Sequence, residues 1–554
     1  MKHKNVKLLL SCSMLLALAG SAVNASETDK NVVSTKYGLV QGVNSEDPGY
    51  ENCVEFRGIP YAAPPVGELR WKAPEDPESW DGVKVCDTYQ NMPMQALPVE
   101  NNEPYTQDLW YGEIPEMSED CLYLNVTTTE DNLTSDEKKP VFVWFHGGGL
   151  NFCYTNEPEA TGVGFAENGV IMVSVEQRLG AFGYLSLPQL TEEQGHSGNY
   201  GLMDQIKAME WIYENIEAFG GDPENITIGG QSGGTTKSVS MALSDICDVP
   251  ISKMVLQSGL KWADAYDPQD VAEERGQNYL TDLGLDKDIS LEELRAMPAE
   301  DIFDATSQNY GGKVVMDNYV VTYPTVIAAA EDGKFDNIAI LAGTNLGEGT
   351  APEVTNAEEF YAYYKDLLGD LYDKYDFENL VQVKDTTAAV VARQLGSMGL
   401  GLNAGRSVMV NREFGKYMDA RTDGKSTVYT YLFQHITPES IYDFGTARSA
   451  ANWWAWHSAE MWYTFNSLRD GTPPVREWTA YDYELADQVN TYWANFMKTG
   501  NPNGEGLVEW PESDDQMGYL KLGDSTNGFS GELAPLEQLM EEFVIRQFNF
   551  PTAE

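Results

Sequence analysis

Histidine is scarce in this chain, with five in 554 residues. Any chemistry that needs an imidazole base therefore has few suppliers. Basic residues are also few: 36 Lys and Arg stand against 86 Asp and Glu, for a formal net charge of −50. Such a balance excludes nucleic acid as a partner and opposes adsorption to anionic membranes. It predicts repulsion of anionic substrates, although its simplest meaning is solubility, perhaps of a protein in a salty medium. After the N-terminal segment no apolar run is long enough to span a bilayer, so stable membrane insertion is not expected. No internal repeat is present, and no Pro-rich or Ser-rich linker divides the chain.

The first residues are the exception to the shortage of positive charge. Lys2, Lys4 and Lys7 precede an apolar run over 8–20, and Val23-Asn24-Ala25 suits cleavage after Ala25. Residues 1–25 thus read as a secretory signal peptide. Its removal leaves Cys53, Cys86, Cys121, Cys153 and Cys247. An exported chain can form disulfides, but an odd count leaves at least one thiol unpaired.

What the chain does contain is Gly230-Gln231-Ser232-Gly233-Gly234, directly after the apolar stretch Ile226-Thr227-Ile228-Gly229. A strand that turns sharply into a helix strains its central residue and needs small neighbours, so that the Ser hydroxyl projects into a cleft. Alone the spacing is common, but here it has companions. Val141-Phe142-Val143-Trp144-Phe145 is a second apolar strand running into His146-Gly147-Gly148-Gly149. Glycines let backbone N–H groups approach a substrate oxygen, so Gly147, Gly148 and Gly233 are the expected oxyanion donors.

A Ser hydroxyl needs a base, usually His, oriented by a carboxylate. In α/β-hydrolases the order is Ser, acid, His, which leaves His435 and His457 as candidates by position. For the acid, Ile338-Ala339-Ile340-Leu341-Ala342 runs into Gly343-Thr344-Asn345-Leu346-Gly347-Glu348. This reads as a buried parallel strand ending in a loop, where catalytic groups of open sheets sit, and it nominates Glu348.

These residues, with several longer segments, resemble the type-B carboxylesterases, the family of the bacterial para-nitrobenzyl esterases and the cholinesterases. Phe56-Arg57-Gly58-Ile59-Pro60-Tyr61, Ser118-Glu119-Asp120-Cys121-Leu122-Tyr123-Leu124-Asn125, Phe219-Gly220-Gly221-Asp222-Pro223 and Gly500-Asn501-Pro502-Asn503 carry the likeness over nearly the whole mature chain. The resemblance implies an α/β-hydrolase fold: a large central mixed, mostly parallel sheet flanked by helices. It implies a Ser232, Glu348 and His457 triad, choosing His457 over His435, and an ion pair between Arg70 and Glu119. No metal or organic cofactor is needed, and the partner is a small-molecule ester.

Three departures accompany the likeness. Gln231 stands where an acid is usual, Gly233 where Ala is usual, and the cysteine upstream of Cys121 is displaced to Cys86, leaving that pairing open. The length alone suggests three or four domains. Residues from Gly147 to His457 must nevertheless share one site, so 26–554 is expected to be a single domain with insertions.

For substrate, Trp110 lies near where cholinesterases place a cation-binding Trp, and cation–π contact suits a quaternary ammonium. A choline-ester specialist is thus one alternative, although Gln231 removes a negative charge. A non-catalytic adhesion protein of the same fold is another, although such relatives lose triad members and this chain keeps all three. Trp454 and Trp456, beside His457, are expected either to pack in the core or to line the gorge wall. An aromatic wall, a neutral Gln231 and an acidic surface together predict uncharged esters as substrates.

Overall fold

Apolar residues alternate between two cores along the central strands. Val141, Val143 and Phe145 point into one, and Phe142 and Trp144 into the other. A sheet buried on both faces needs this near-continuous hydrophobic pattern, because successive side chains leave opposite sides. The computed structural model describes residues 31–97, 114–262, 265–303, 310–348, 352–401, 404–446, 448–471 and 475–551. The signal segment 1–25 and Trp110 lie outside the described residues.

Among the described residues the main sheet has eleven strands. In chain order they are β1 (Val43–Asn44), β2 (Cys53–Pro60), β3 (Tyr123–Thr129), β4 (Lys139–Phe145), β5 (Ile171–Val175), β6 (Gly221–Gln231), β7 (Lys253–Gln257), β8 (Ala339–Asn345), β9 (Val428–Phe433), β10 (Tyr519–Leu522) and β11 (Asn527–Phe529). Their spatial order is β11-β10-β9-β8-β7-β6-β4-β5-β3-β2-β1. From β5 through β10 every neighbouring pair is parallel. The strands beyond, at both edges, pair antiparallel. The mixed, mostly parallel sheet expected from the sequence is therefore present, with helices between its strands.

The segment 127–139 departs from the surface connection that its polarity suggests. Thr127, Thr128 and Thr129 complete β3 and are buried. β-Branched residues suit a pleated strand, and Thr128 Oγ1 offsets its burial by donating to the Phe219 carbonyl at 3.1 Å. The chain leaves the sheet only at the short helix Glu130–Thr134, capped by the Thr129 side chain.

The helical spacing of Leu202, Ile206, Met209 and Ile212 produces α1 (Tyr200–Asn215), with all four buried. A 3-10 turn over Ile216–Phe219 tightens its end, and Gly220, at φ 89°, reverses the chain into β6. Because the parallel strands run the same way, the carboxyl ends of β4, β6, β7 and β8 open on one edge of the sheet. The four loops that follow them begin with His146, Ser232, Ser258 and Leu346.

Candidate active site

Ser232 sits between β6 and helix α2 (Gly233–Ala242) with φ 55° and ψ −116°. For a residue with a side chain this is a strained conformation, and it persists only when the surroundings over-determine it. They do so here: the Ser232 N–H donates to the Gln257 carbonyl at 2.8 Å. Thr235 Oγ1 braces the same turn by donating to the Gly230 and Gln257 carbonyls. A side chain at 234 would put its Cβ 1.9 Å from the Phe145 carbonyl oxygen, so only glycine lets α2 start so close to β4. At 233 a Cβ would fall 2.2 Å from the Gly149 carbonyl oxygen. The turn after Ser232 thus packs directly on the glycine run after β4, and the N-terminus of α2 adds its positive dipole end to that space.

His457 Nδ1 lies 3.0 Å from Glu348 Oε2. That contact commits Nδ1–H to the carboxylate and leaves Nε2 as the basic nitrogen. The Gln231 amide nitrogen is 3.3 Å from Nε2, so the imidazole reaches the residue just before Ser232. A neutral amide occupies that contact. His435 is elsewhere, held between Asp482 (2.8 Å) and Asp524 (2.7 Å).

Glu348 is buried and accepts from the Asn345 backbone N–H at 2.7 Å and from the Ser258 hydroxyl. A second buried carboxylate, Glu460, sits behind it. Its neighbours are Asn345 Nδ2, Ser258 Oγ at 3.2 Å and Tyr431 OH at 3.4 Å. Burial, with the nearby charge of Glu348, pushes Glu460 up to about 7. Sequence reading missed both Ser258 and Glu460. The position of Ser258 at the carboxyl end of β7 was the available signal.

A second omission lies under the glycine run. Lys237, on α2, is fully buried, and its ammonium donates to the carbonyls of His146 (2.9 Å) and Gly147 (3.3 Å). Those two peptides carry, at their other ends, the N–H groups of Gly147 and Gly148. A cation on the carbonyl side polarises each peptide, so that its N–H becomes a stronger donor. Turning the Gln177 amide oxygen inward completes the arrangement: it accepts from His146 Nε2 at 2.5 Å and from Lys237 Nζ at 3.2 Å. Burial, reinforced by Lys237, holds His146 well below its ordinary value, so the ring is neutral. Burial also pushes Lys237 down to about 8, against the opposing pull of Cys153, Glu176 and Glu157.

The cavity that opens beside Ser232 has a volume of about 410 Å³. Leu150, Val239, Leu260, Val314 and Val326 give it an apolar lining. Neither Trp454 nor Trp456 is among its lining residues. Trp456 is buried beneath the Arg476 guanidinium, and Trp454 is 36% exposed. Overall charge led to the expectation of uncharged esters; among the described residues Lys261, Lys313 and Arg406 line this cavity, with Asp267 as their one carboxylate. Bulk charge sums the whole surface, whereas a cleft senses charges within about 8–10 Å at ordinary salt.

Arg70 and Glu119 form the expected ion pair, bidentate at 2.6 and 2.5 Å. All five described cysteines are free thiols, so Cys86 and Cys121 are not joined. Among the described residues no group of three or more His, Cys, Asp or Glu could hold a metal ion. None of the described helices is long and apolar enough to cross a membrane.

Comparison with known proteins agrees with this architecture. The model of the Carboxylesterase family matches residues 29–538. The para-nitrobenzyl esterase of Bacillus subtilis (strain 168) is 30% identical over 89% of this chain and 95% of its own. The medium-chain fatty acyl-CoA hydrolase precursor of Anas platyrhynchos is 29% identical over 93% of this chain and 92% of its own. A solved PNB esterase structure superposes with a TM-score of 0.72 at 26% identity, covering 92% of this chain and 99% of that one. With the α/β-hydrolase sheet and the strained serine at its edge, these matches make the chain a member of the carboxylesterase family, a serine hydrolase of carboxylic esters.

Proposed function

We propose that the chain is an exported carboxylesterase working through Ser232, His457 and Glu348 by way of an acyl-enzyme. The observation that carries this reading is the strained Ser232, whose chain neighbour Gln231 contacts an imidazole held at Nδ1 by a buried carboxylate. His457 Nε2 takes the Ser232 proton as Oγ attacks the ester carbonyl. Glu348 holds the ring in the tautomer that can accept it and offsets the imidazolium charge. The N–H groups of Gly147, Gly148 and Gly233 receive the oxyanion. His457 then protonates the departing alcohol, and water, activated by the same nitrogen, releases the acid. Every proton moves among Ser232, His457, the ester and the attacking water, so the cycle closes with no cofactor.

Export rests on the leader at 1–25, and the secreted protein should begin at Ser26. Mass measurement of its N-terminus tests that point separately. The chemistry is tested with Ser232→Ala, which should abolish turnover while the melting temperature holds. A serine-directed organophosphate should label Ser232 alone. Labelling at another serine would remove the assignment.

A further inference from the structure

Arg406 is the unusual member of the cavity beside Ser232. It ends the 3-10 turn Ala404–Arg406, is half-buried, and faces the same space as Ser232, Gly149 and Gly233. Among the described residues it has no carboxylate partner and no hydrogen bond. That is uncommon in a chain whose acids outnumber its bases 86 to 36. Three buried guanidiniums are paired instead: Arg70 with Glu119, Arg178 with Asp204, and Arg412 with Glu537. Among the described residues the cavity's one carboxylate, Asp267, is already engaged by Arg275 and Lys313. Lys261 adds a further cation at the loop after β7.

Much of the remaining wall is aliphatic, broken by Asn151, Thr235, Thr236 and Tyr266, so the space pairs an apolar lining with a guanidinium that no described carboxylate neutralises. Low-dielectric walls concentrate the field of such a charge, and guanidinium binds a carboxylate through two parallel hydrogen bonds. Taking the carboxylesterase reading above as its basis, we infer that this cavity selects esters bearing a carboxylate on a short aliphatic arm, with Arg406 as its receptor. A monoester of a short dicarboxylic acid is the simplest such substrate. Hydrolysis of its single ester bond by water yields the dicarboxylate and the alcohol.

The test compares 4-nitrophenyl hemiglutarate with 4-nitrophenyl valerate, matched in length and differing in the terminal carboxylate. A second pair, 4-acetoxybutanoate and butyl acetate, carries the anion on an aliphatic arm of the alcohol side instead. The native enzyme should prefer the anionic member of one pair by kcat/KM, which identifies the half of the ester that enters the cavity. In Arg406→Gln that ratio should fall at least about tenfold, as loss of a charge-assisted contact does, and Arg406→Lys should restore part of it. Glutarate should competitively inhibit valerate-ester hydrolysis by the native enzyme, with inhibition relieved by salt, and this arm needs no variant. Hydrolysis of neutral esters with no anionic preference and no glutarate inhibition overturns the inference and leaves the esterase reading standing. Failure to hydrolyse any ester, with Ser232 unlabelled by organophosphate, overturns that reading instead.

Discussion

Glu348 and Glu460 are two buried carboxylates that share one hydroxyl, that of Ser258. A hydroxyl has a single proton to give. Once Ser258 gives it to Glu348, the 3.2 Å contact with Glu460 is a hydrogen bond only if Glu460 supplies the proton. The upward displacement of Glu460 to about 7 agrees with that direction. Glu348 can then remain the charged partner of His457 while its neighbour stays neutral.

This arrangement has a stability signature. Between about 4.5, the ordinary value, and about 7, the folded protein holds a proton on Glu460 that the unfolded chain has released. Stability from this group is therefore complete at low pH and falls as pH rises across that window. Glu460→Gln keeps a neutral, hydrogen-bonding side chain without the titration. Its melting temperature relative to the native protein should climb from pH 5 to pH 8. A constant difference would show that Glu460 is already ionised at pH 5.

The two downstream histidines should separate cleanly. His457→Ala is expected to cost a factor of about 10⁴ or more in kcat, since members of a nucleophile–base unit fail together. His435 is a different case. Burial works against its charge, but the Asp482 and Asp524 carboxylates outweigh it and raise its pKa. Its contribution to stability is full below 6.5 and fades as pH rises through the raised value. His435→Ala should thus lower the melting temperature at pH 6 more than at pH 9 and leave kcat within a few-fold. Equal stability losses at both pH values would contradict the ion-pair account.

Arg70 is 4% exposed, and besides Glu119 it donates to the carbonyls of Leu294 and Met297. It ties the Cys121 segment to the helix over Leu291–Ala296 and its exit. Glu119→Ala leaves a buried guanidinium without its counter-charge, which costs about 3–5 kcal/mol. The expected result is a large fall in melting temperature with the rate per folded molecule little changed, checked by active-site titration.

Lys237→Met keeps the length and apolar stem of the lysine but removes the ammonium beneath the His146 and Gly147 carbonyls. The N–H groups on those peptides meet full negative charge only at the tetrahedral stage, so the loss should fall on kcat, by about tenfold to a hundredfold, with KM little moved. A trifluoromethyl ketone inhibitor should weaken in parallel. Unchanged kcat with a lower melting temperature would make the lysine purely structural.

The parts legible in the sequence were those written in adjacent residues. Val141–Phe145 forms a strand that extends beyond its apolar run only to Lys139. The glycines around Ser232 and after His146 are forced by close backbone approach, which leaves a local signature. Lys237, Ser258, Glu460 and Arg406 left none, because each acquires its role from partners distant in the chain. Ser258 meets Glu460 across 202 positions, and Lys237 meets His146 across 91. A lone lysine in a Gly-Thr-Ser helix reads as a solvated charge until the fold buries it. Overall charge likewise does not say which charged side chains line one cleft.

Glu348 and His457 are separated by 109 positions, and Ser232 arrives on yet another strand. No fragment holding one strand and its helix contains even a rudimentary version of the catalytic centre. Contacts of such long sequence separation form late, after the entropy of closing large loops has been overcome. During refolding, helical signal should recover first and esterase activity last, with the final parallel pairing. The enzyme's own turnover is thus a clock for completion of its sheet, and a chain stalled on the way carries no hydrolytic activity.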